Sequence, residues 1–151
     1  MAEHLSDAGN RAWRALASVT HLLGAELERQ TQRDAGMPHV YYVLLAALYE
    51  APGRRLRAGA LAEAARISPS RLSHAVRSME ESGWVTRERA AGDGRGQQIV
   101  LSEAGVTAVR RLAPLQQANV RVPLLGDLDD ERLTRLAELL EPLAARLESA
   151  R

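Results

Sequence analysis

Apolar positions recur every three or four residues along most of this chain, the mark of helices that bury one face. From about Asp7 to Gln32, Ala12, Leu16, Val19, Leu23 and Leu27 form such a stripe, and Asp34-Ala35-Gly36 ends the helix. Pro38 suits a first helical position, and Val40, Val43, Leu44, Ala47 and Leu48 make the buried face of a second helix that Pro52-Gly53 terminates. Arg54 to Arg57 is too short to assign by pattern. A third helix, about Ala58 to Ala65, turns Leu61, Ala62 and Ala65 inward.

The fourth helix has the clearest start in the chain. Ser68 can accept a hydrogen bond from a free backbone N–H, and Pro69 follows where its missing N–H costs nothing. Leu72, Ala75, Val76 and Met79 then pack inward at i, i+3, i+4 and i+7. The opposite stripe carries Ser70, Ser73, His74 and Arg77, with Arg71 beside it, all able to donate hydrogen bonds. Gly83 closes the helix with a residue free to adopt positive φ. Two β-prone stretches follow, Trp84–Arg89 and Gln97–Leu101, joined by a tip with three glycines in seven residues. Trp84, at the hairpin root, reads as a core residue rather than a platform for bases.

Ser102 is expected to cap a fifth helix whose Val106, Val109, Leu112 and Ala113 face inward and which Pro114 should kink. Asp129 can cap a sixth, with Leu128 and Leu133 as a hydrophobic staple. Leu133, Leu136, Ala137, Leu140, Leu143 and Leu147 run along one side, and Pro142 predicts a bend or break. The fold class is therefore mainly α with a small β-hairpin.

Composition narrows the functions this fold can serve. A chain of 151 residues with 46% hydrophobic content buries a core without staples. No apolar run approaches bilayer length, and Met1–Asn10 has no leader pattern, so the expected location is the cytoplasm. The absence of cysteine removes disulfides, thiolate metal sites and thiol-based redox sensing. All 20 basic side chains are arginine, a bias to which no function is attached. Net charge is only +1, but Gly53–Arg111 holds eleven arginines against six acids while the remainder holds nine against thirteen. A basic middle fits a phosphate-binding surface, although solvated charge produces the same bias.

A helix that fits a major groove, next to an arginine-tipped hairpin around Gly92-Asp93-Gly94-Arg95-Gly96, is suited to reading duplex DNA. An enzyme is disfavoured: there is no nucleophile elbow and no Walker-type loop, and the four histidines are scattered, so no cofactor or metal is expected. The alternative is a winged-helix adaptor whose basic face binds an acidic protein. Arg71 and Arg77 would then serve solubility or pair with Glu80 and Glu81.

The run from Leu61-Ala62-Glu63 through Ser70-Arg71-Leu72-Ser73-His74, Gly83-Trp84-Val85, Asp93-Gly94-Arg95-Gly96 and Leu101-Ser102-Glu103-Ala104-Gly105 resembles the winged helix-turn-helix core of the MarR family of bacterial transcription regulators. The resemblance extends to the order of the flanking helices. It implies a DNA-binding lobe at residues 37–105, flanked by dimerisation helices at 1–36 and 106–151. The expected function is a ligand-responsive repressor acting as a homodimer on a palindromic operator, with recognition helices about 34–36 Å apart.

Carried over by this resemblance, Ser68, Ser70, Arg71, Ser73, His74, Arg77, Arg87 and Arg95 are candidate contacts to double-stranded DNA. Arg95 would enter the minor groove, while Asp93 would hold it through a charge-assisted hydrogen bond. A small aromatic or anionic effector would sit in a crevice to which Trp13, His39, Tyr41 and Tyr42 contribute. The same four side chains also suit plain packing between helices. Two departures remove positive charge relative to many relatives: Gly94 in place of a second basic hairpin residue, and His74 in place of an arginine. They imply weaker or more pH-sensitive DNA binding.

Overall fold

The computed structural model describes residues 4–89, 97–120 and 124–150. Among these the chain forms α1 (Asp7–Ala35), α2 (His39–Glu50), β1 (Arg55–Arg57), α3 (Ala58–Ala64), α4 (Pro69–Glu81), β2 (Val85–Arg89), β3 (Gln97–Leu101), α5 (Glu103–Val120) and α6 (Asp130–Ser149). Two compact units result, Met1–Gln116 and Gln117–Arg151.

Helix boundaries follow from local chemistry. Ser68 Oγ accepts the Arg71 amide at 3.3 Å and Asp129 Oδ1 accepts that of Arg132 at 2.9 Å, so both expected caps are in place. Ser102 Oγ accepts from the Gly105 amide at 3.0 Å and donates to the Gly83 carbonyl at 2.6 Å, tying the start of α5 to the end of α4. Gly83, at φ 72°, closes α4, with the Trp84 amide reaching back to the Met79 carbonyl at 2.9 Å. Pro38 lies one residue earlier than expected: it is the N-cap of α2 and has no side-chain oxygen to offer. The Glu28 carboxylate of α1 supplies that acceptor, taking the His39 amide at 3.0 Å.

The core of the first unit lies between α2, α3, α4, the sheet and the first turns of α5. Leu44, Leu45, Leu48, Leu61, Leu72, Val76, Met79, Val85, Ile99, Val106 and Leu112 are all buried there. Leu45 joins the inward face of α2, whereas Val43 is only half-buried. Trp84 packs against this cluster from the hairpin root, as expected.

The segment too short to assign from pattern is a strand. β1 pairs antiparallel with β3, Leu56 opposite Ile99, and the sheet order is β1-β3-β2. Three residues suffice because β3 is already paired with β2 through five positions and presents a ready edge. Where β3 meets α5, Gly105 leaves no room for a side chain: a Cβ there would collide with the Trp84 carbonyl and with Leu101.

The helices carrying Pro114 and Pro142 do not break. α5 runs on to Val120 and α6 from Asp130 to Ser149 as continuous assignments. Both prolines lie on exposed positions, so the single carbonyl each leaves without its helical donor can be met by water.

At 29 residues, about 43 Å of rise, α1 far outruns the core, and only Gln30 and Thr31 near its end are buried. Leu16 and Val19 of its stripe are exposed, as are Trp13 and Leu22 outside it. In the second unit, α6 likewise buries no residue and exposes Leu139, Leu140, Leu143 and Leu147.

Candidate nucleic-acid interface

Helix α4 separates its two faces as its sequence demands. Leu72, Ala75, Val76 and Met79 are buried, while Ser70, Arg71, Ser73, His74 and Arg77 are exposed. Ser68 holds the first turn and also lies within 3.1 Å of Ser70, oxygen to oxygen. Among the described residues neither Arg71 nor Arg77 has an ion pair, so the pairing of either with Glu80 or Glu81 does not occur. The helix thus presents two unengaged guanidiniums, an imidazole and a row of hydroxyls on one side.

Glu80 has a different partner. Arg87, on β2, approaches its Oε2 through Nε at 3.2 Å, both side chains about one-third exposed. Arg87 faces the same side of the sheet as the buried Val85, and with Ser73, Val76 and Gln97 it lines a cleft of about 80 Å3 between α4 and the sheet. Strand pattern signalled this weakly, since Arg87 alternates with Val85, but nothing in the sequence ties it to Glu80. The other hairpin candidates, Asp93 and Arg95, lie outside the described residues.

On the far side of α4 a groove of about 450 Å3 runs between that helix and the start of α2, lined by Pro38, Val40, Tyr41, Ser70, Arg71 and His74 among others. Tyr41 therefore stands beside two candidate DNA contacts. His39 and Tyr42 stack at 6.0 Å between ring centroids. His39 Nδ1 lies 3.0 Å from Thr31 Oγ1, which also accepts from Gln116 Nε2 at 3.0 Å. Burial pushes the His39 imidazole below its ordinary pKa, with the Glu28 carboxylate opposing, and burial pushes the Tyr42 phenol up. Trp13 is not gathered with these three within one chain, being 61% exposed and about 27 Å along α1 from Thr31.

No group of acidic, histidine or cysteine side chains among the described residues could hold a metal ion, and no helix there is long and apolar enough to cross a membrane.

A capped helix-turn-helix, a three-stranded sheet with β2 and β3 as its hairpin, and long outlying helices define a winged-helix protein. The chain belongs to the MarR family, whose sequence pattern matches residues 35–96. Members of this family are transcriptional regulators, not enzymes. Sco3205, a MarR family transcriptional regulator from Streptomyces coelicolor crystallised in complex with DNA, is 43% identical over 95% of this chain and 90% of its own, with a TM-score of 0.90. AbsC, a second MarR family transcriptional regulator from Streptomyces coelicolor, is 37% identical over 97% of this chain and 99% of its own, with a TM-score of 0.91. Among curated protein sequences none matches.

Proposed function

We propose that this protein is a sequence-specific, DNA-binding transcriptional repressor that acts in the cytoplasm as a homodimer on a palindromic operator. The observation that carries the reading is the exposed face of α4: Ser70, Arg71, Ser73, His74 and Arg77 stand outward, and neither arginine is held by an acid among the described residues. Side chains that donate hydrogen bonds in a row along a helix suit the acceptor-rich edges of the major groove and the phosphates that flank it. The 43% identity with a regulator crystallised on DNA supports the same reading.

In this proposal residues 37–105 read the operator, and residues 1–36 and 106–151 pair two subunits. Ser68 contributes its exposed position at the helix start, and Arg95, positioned by Asp93, reaches the minor groove. Arg87, engaged by Glu80, is left out of the contact set. The ligand response is assigned to the neighbourhood of Tyr41, Tyr42 and His39. A small aromatic or anionic effector in the groove beside Tyr41 would meet Arg71 and His74 and so compete with DNA for the same side chains.

A mobility-shift titration on the duplex flanking the protein's own gene tests the function. Wild-type protein is expected to bind with an affinity that falls steeply with salt, and Arg77→Ala and Arg95→Ala to bind weakly with folding intact. Undiminished binding by both variants, or no binding by the wild type, would reject it.

A further inference from the structure

The stripe on α4 that carries Ser73 and Arg77 continues, one turn further, to Glu80. A carboxylate on a surface meant for phosphates is an anomaly unless its charge is met, and Arg87 meets it at 3.2 Å. The two residues come from different elements. Glu80 lies in the last turn of the helix, whereas Arg87 sits mid-strand on β2, opposite Ile99 of β3. Their pairing therefore spans the joint between the helix and the hairpin. Arg87 reaches it along the cleft lined by Ser73 and Val76, a route that turns its guanidinium toward the helix. Arg71 and Arg77, by contrast, form no ion pair among the described residues.

We propose that the Glu80–Arg87 pair is a specificity-determining device: Glu80 withholds Arg87 from the DNA backbone and uses it to fix the hairpin against the recognition helix. The inference rests on the DNA-binding reading above. Its physical content is that phosphate contacts add affinity for every sequence alike, whereas base contacts distinguish sequences. Neutralising one arginine internally lowers sequence-blind binding while leaving the base-reading stripe untouched. Arg87 is thus a positioning residue, and Glu80 decides whether it stays one.

The test is a double-mutant cycle read on a labelled random-sequence duplex at a series of KCl concentrations, using the full chain. Glu80→Gln frees Arg87 for a phosphate. It is expected to steepen the slope of log K against log salt by about 0.9 per subunit and to tighten binding about fivefold at physiological salt. Arg87→Gln leaves the Glu80 charge bare and weakens binding. The double variant, lacking both charges, returns to the wild-type affinity and slope. If Arg87 already contacts phosphate, the double variant instead binds about fivefold more weakly, with a slope shallower by about 0.9, and the proposal fails. An unchanged slope in Glu80→Gln also overturns it, and the double variant decides independently should Glu80→Gln not fold. In both cases wild-type binding persists, whereas a wild type that ignores duplex DNA removes the DNA-binding reading as well.

Discussion

Gln116 and Thr31, 85 positions apart, share a hydrogen bond of 3.0 Å at the base of α1, with Gln116 Nε2 donating to Thr31 Oγ1. The Thr31 hydroxyl donates in turn to the Leu27 carbonyl at 2.8 Å. Its one hydrogen is thereby committed, so at His39 it is Nδ1 that carries the proton and donates to Thr31. Three helices, α1, α2 and α5, are joined through one buried hydroxyl, and burial favours the neutral form of the His39 imidazole.

That arrangement predicts an acid-sensitive stability. Burial holds the folded-state pKa of His39 below the ordinary 6.5, the Glu28 carboxylate offsetting part of the effect. A base depressed on folding binds fewer protons in the native than in the unfolded state. Its contribution is complete above 6.5 and is lost as pH falls toward and through the folded value. His39→Gln keeps an amide donor for Thr31 but cannot titrate. Thermal melts from about pH 7 to about pH 5 should show the wild-type Tm falling more than that of the variant. Parallel curves would count against a half-buried histidine kept neutral.

Gly105 makes a second, purely steric prediction. Its missing Cβ would run into backbone, the Trp84 carbonyl, which cannot swing aside as a flexible side-chain tip can. That carbonyl also accepts the Ser102 amide at 3.0 Å, so moving it would disturb the first turn of α5. Gly105→Ala is expected to cost about 1–3 kcal/mol, read from the midpoint of a urea titration, although alanine is intrinsically the better helix former. A variant as stable as the wild type would show that the joint between β3 and α5 yields.

The parts of this fold legible in the sequence are those fixed by neighbours along the chain. Ser68-Pro69 and Asp129 announce their helices because a cap and the amide it accepts lie three residues apart. The two faces of α4 follow from helical spacing alone. What escaped detection was set by contacts between distant segments. Arg55–Arg57 has no strand signal of its own and becomes β1 only because β3 offers an edge. Glu80 finds Arg87 rather than a helical neighbour because the hairpin folds back on α4, and Thr31 finds Gln116 only once α5 returns to α1. The prolines of α5 and α6 do not break their helices, since an exposed helix tolerates a missing donor that a buried one would not.

On α4, charge at single positions should be readable as a salt dependence. Arg77 is exposed and has no ion pair among the described residues, so Arg77→Ala is expected to make the log K against log salt slope shallower by about 0.9 per subunit. His74, exposed three residues earlier, offers the converse experiment. His74→Arg adds a guanidinium to the same face and should steepen the slope by about 0.9, tightening binding about fivefold at physiological salt. Titrations of random-sequence duplex monitor both, and a variant pair with identical slopes would place this face away from phosphate.

The apolar residues left over by the first unit's core predict the assembly. Leu16 and Val19 on α1 are 37% and 44% exposed, and Leu139 and Leu147 on α6 are 70% and 72% exposed, at spacings that place each pair on one face of its helix. Stripes of this size on a single chain are rare unless another surface covers them, and in the homodimer proposed above a second copy does so. Leu139→Glu with Leu147→Glu would bury charge in that interface and is expected to yield a monomer by sedimentation. Because the core around Leu44, Leu61, Met79 and Leu112 is built without α6, helical content and the melting of the first unit should persist. Operator binding should nevertheless fall about a hundredfold or more, since the second recognition helix is no longer delivered to its half-site by the first. A doubly substituted protein that stays dimeric would move the subunit interface off α6.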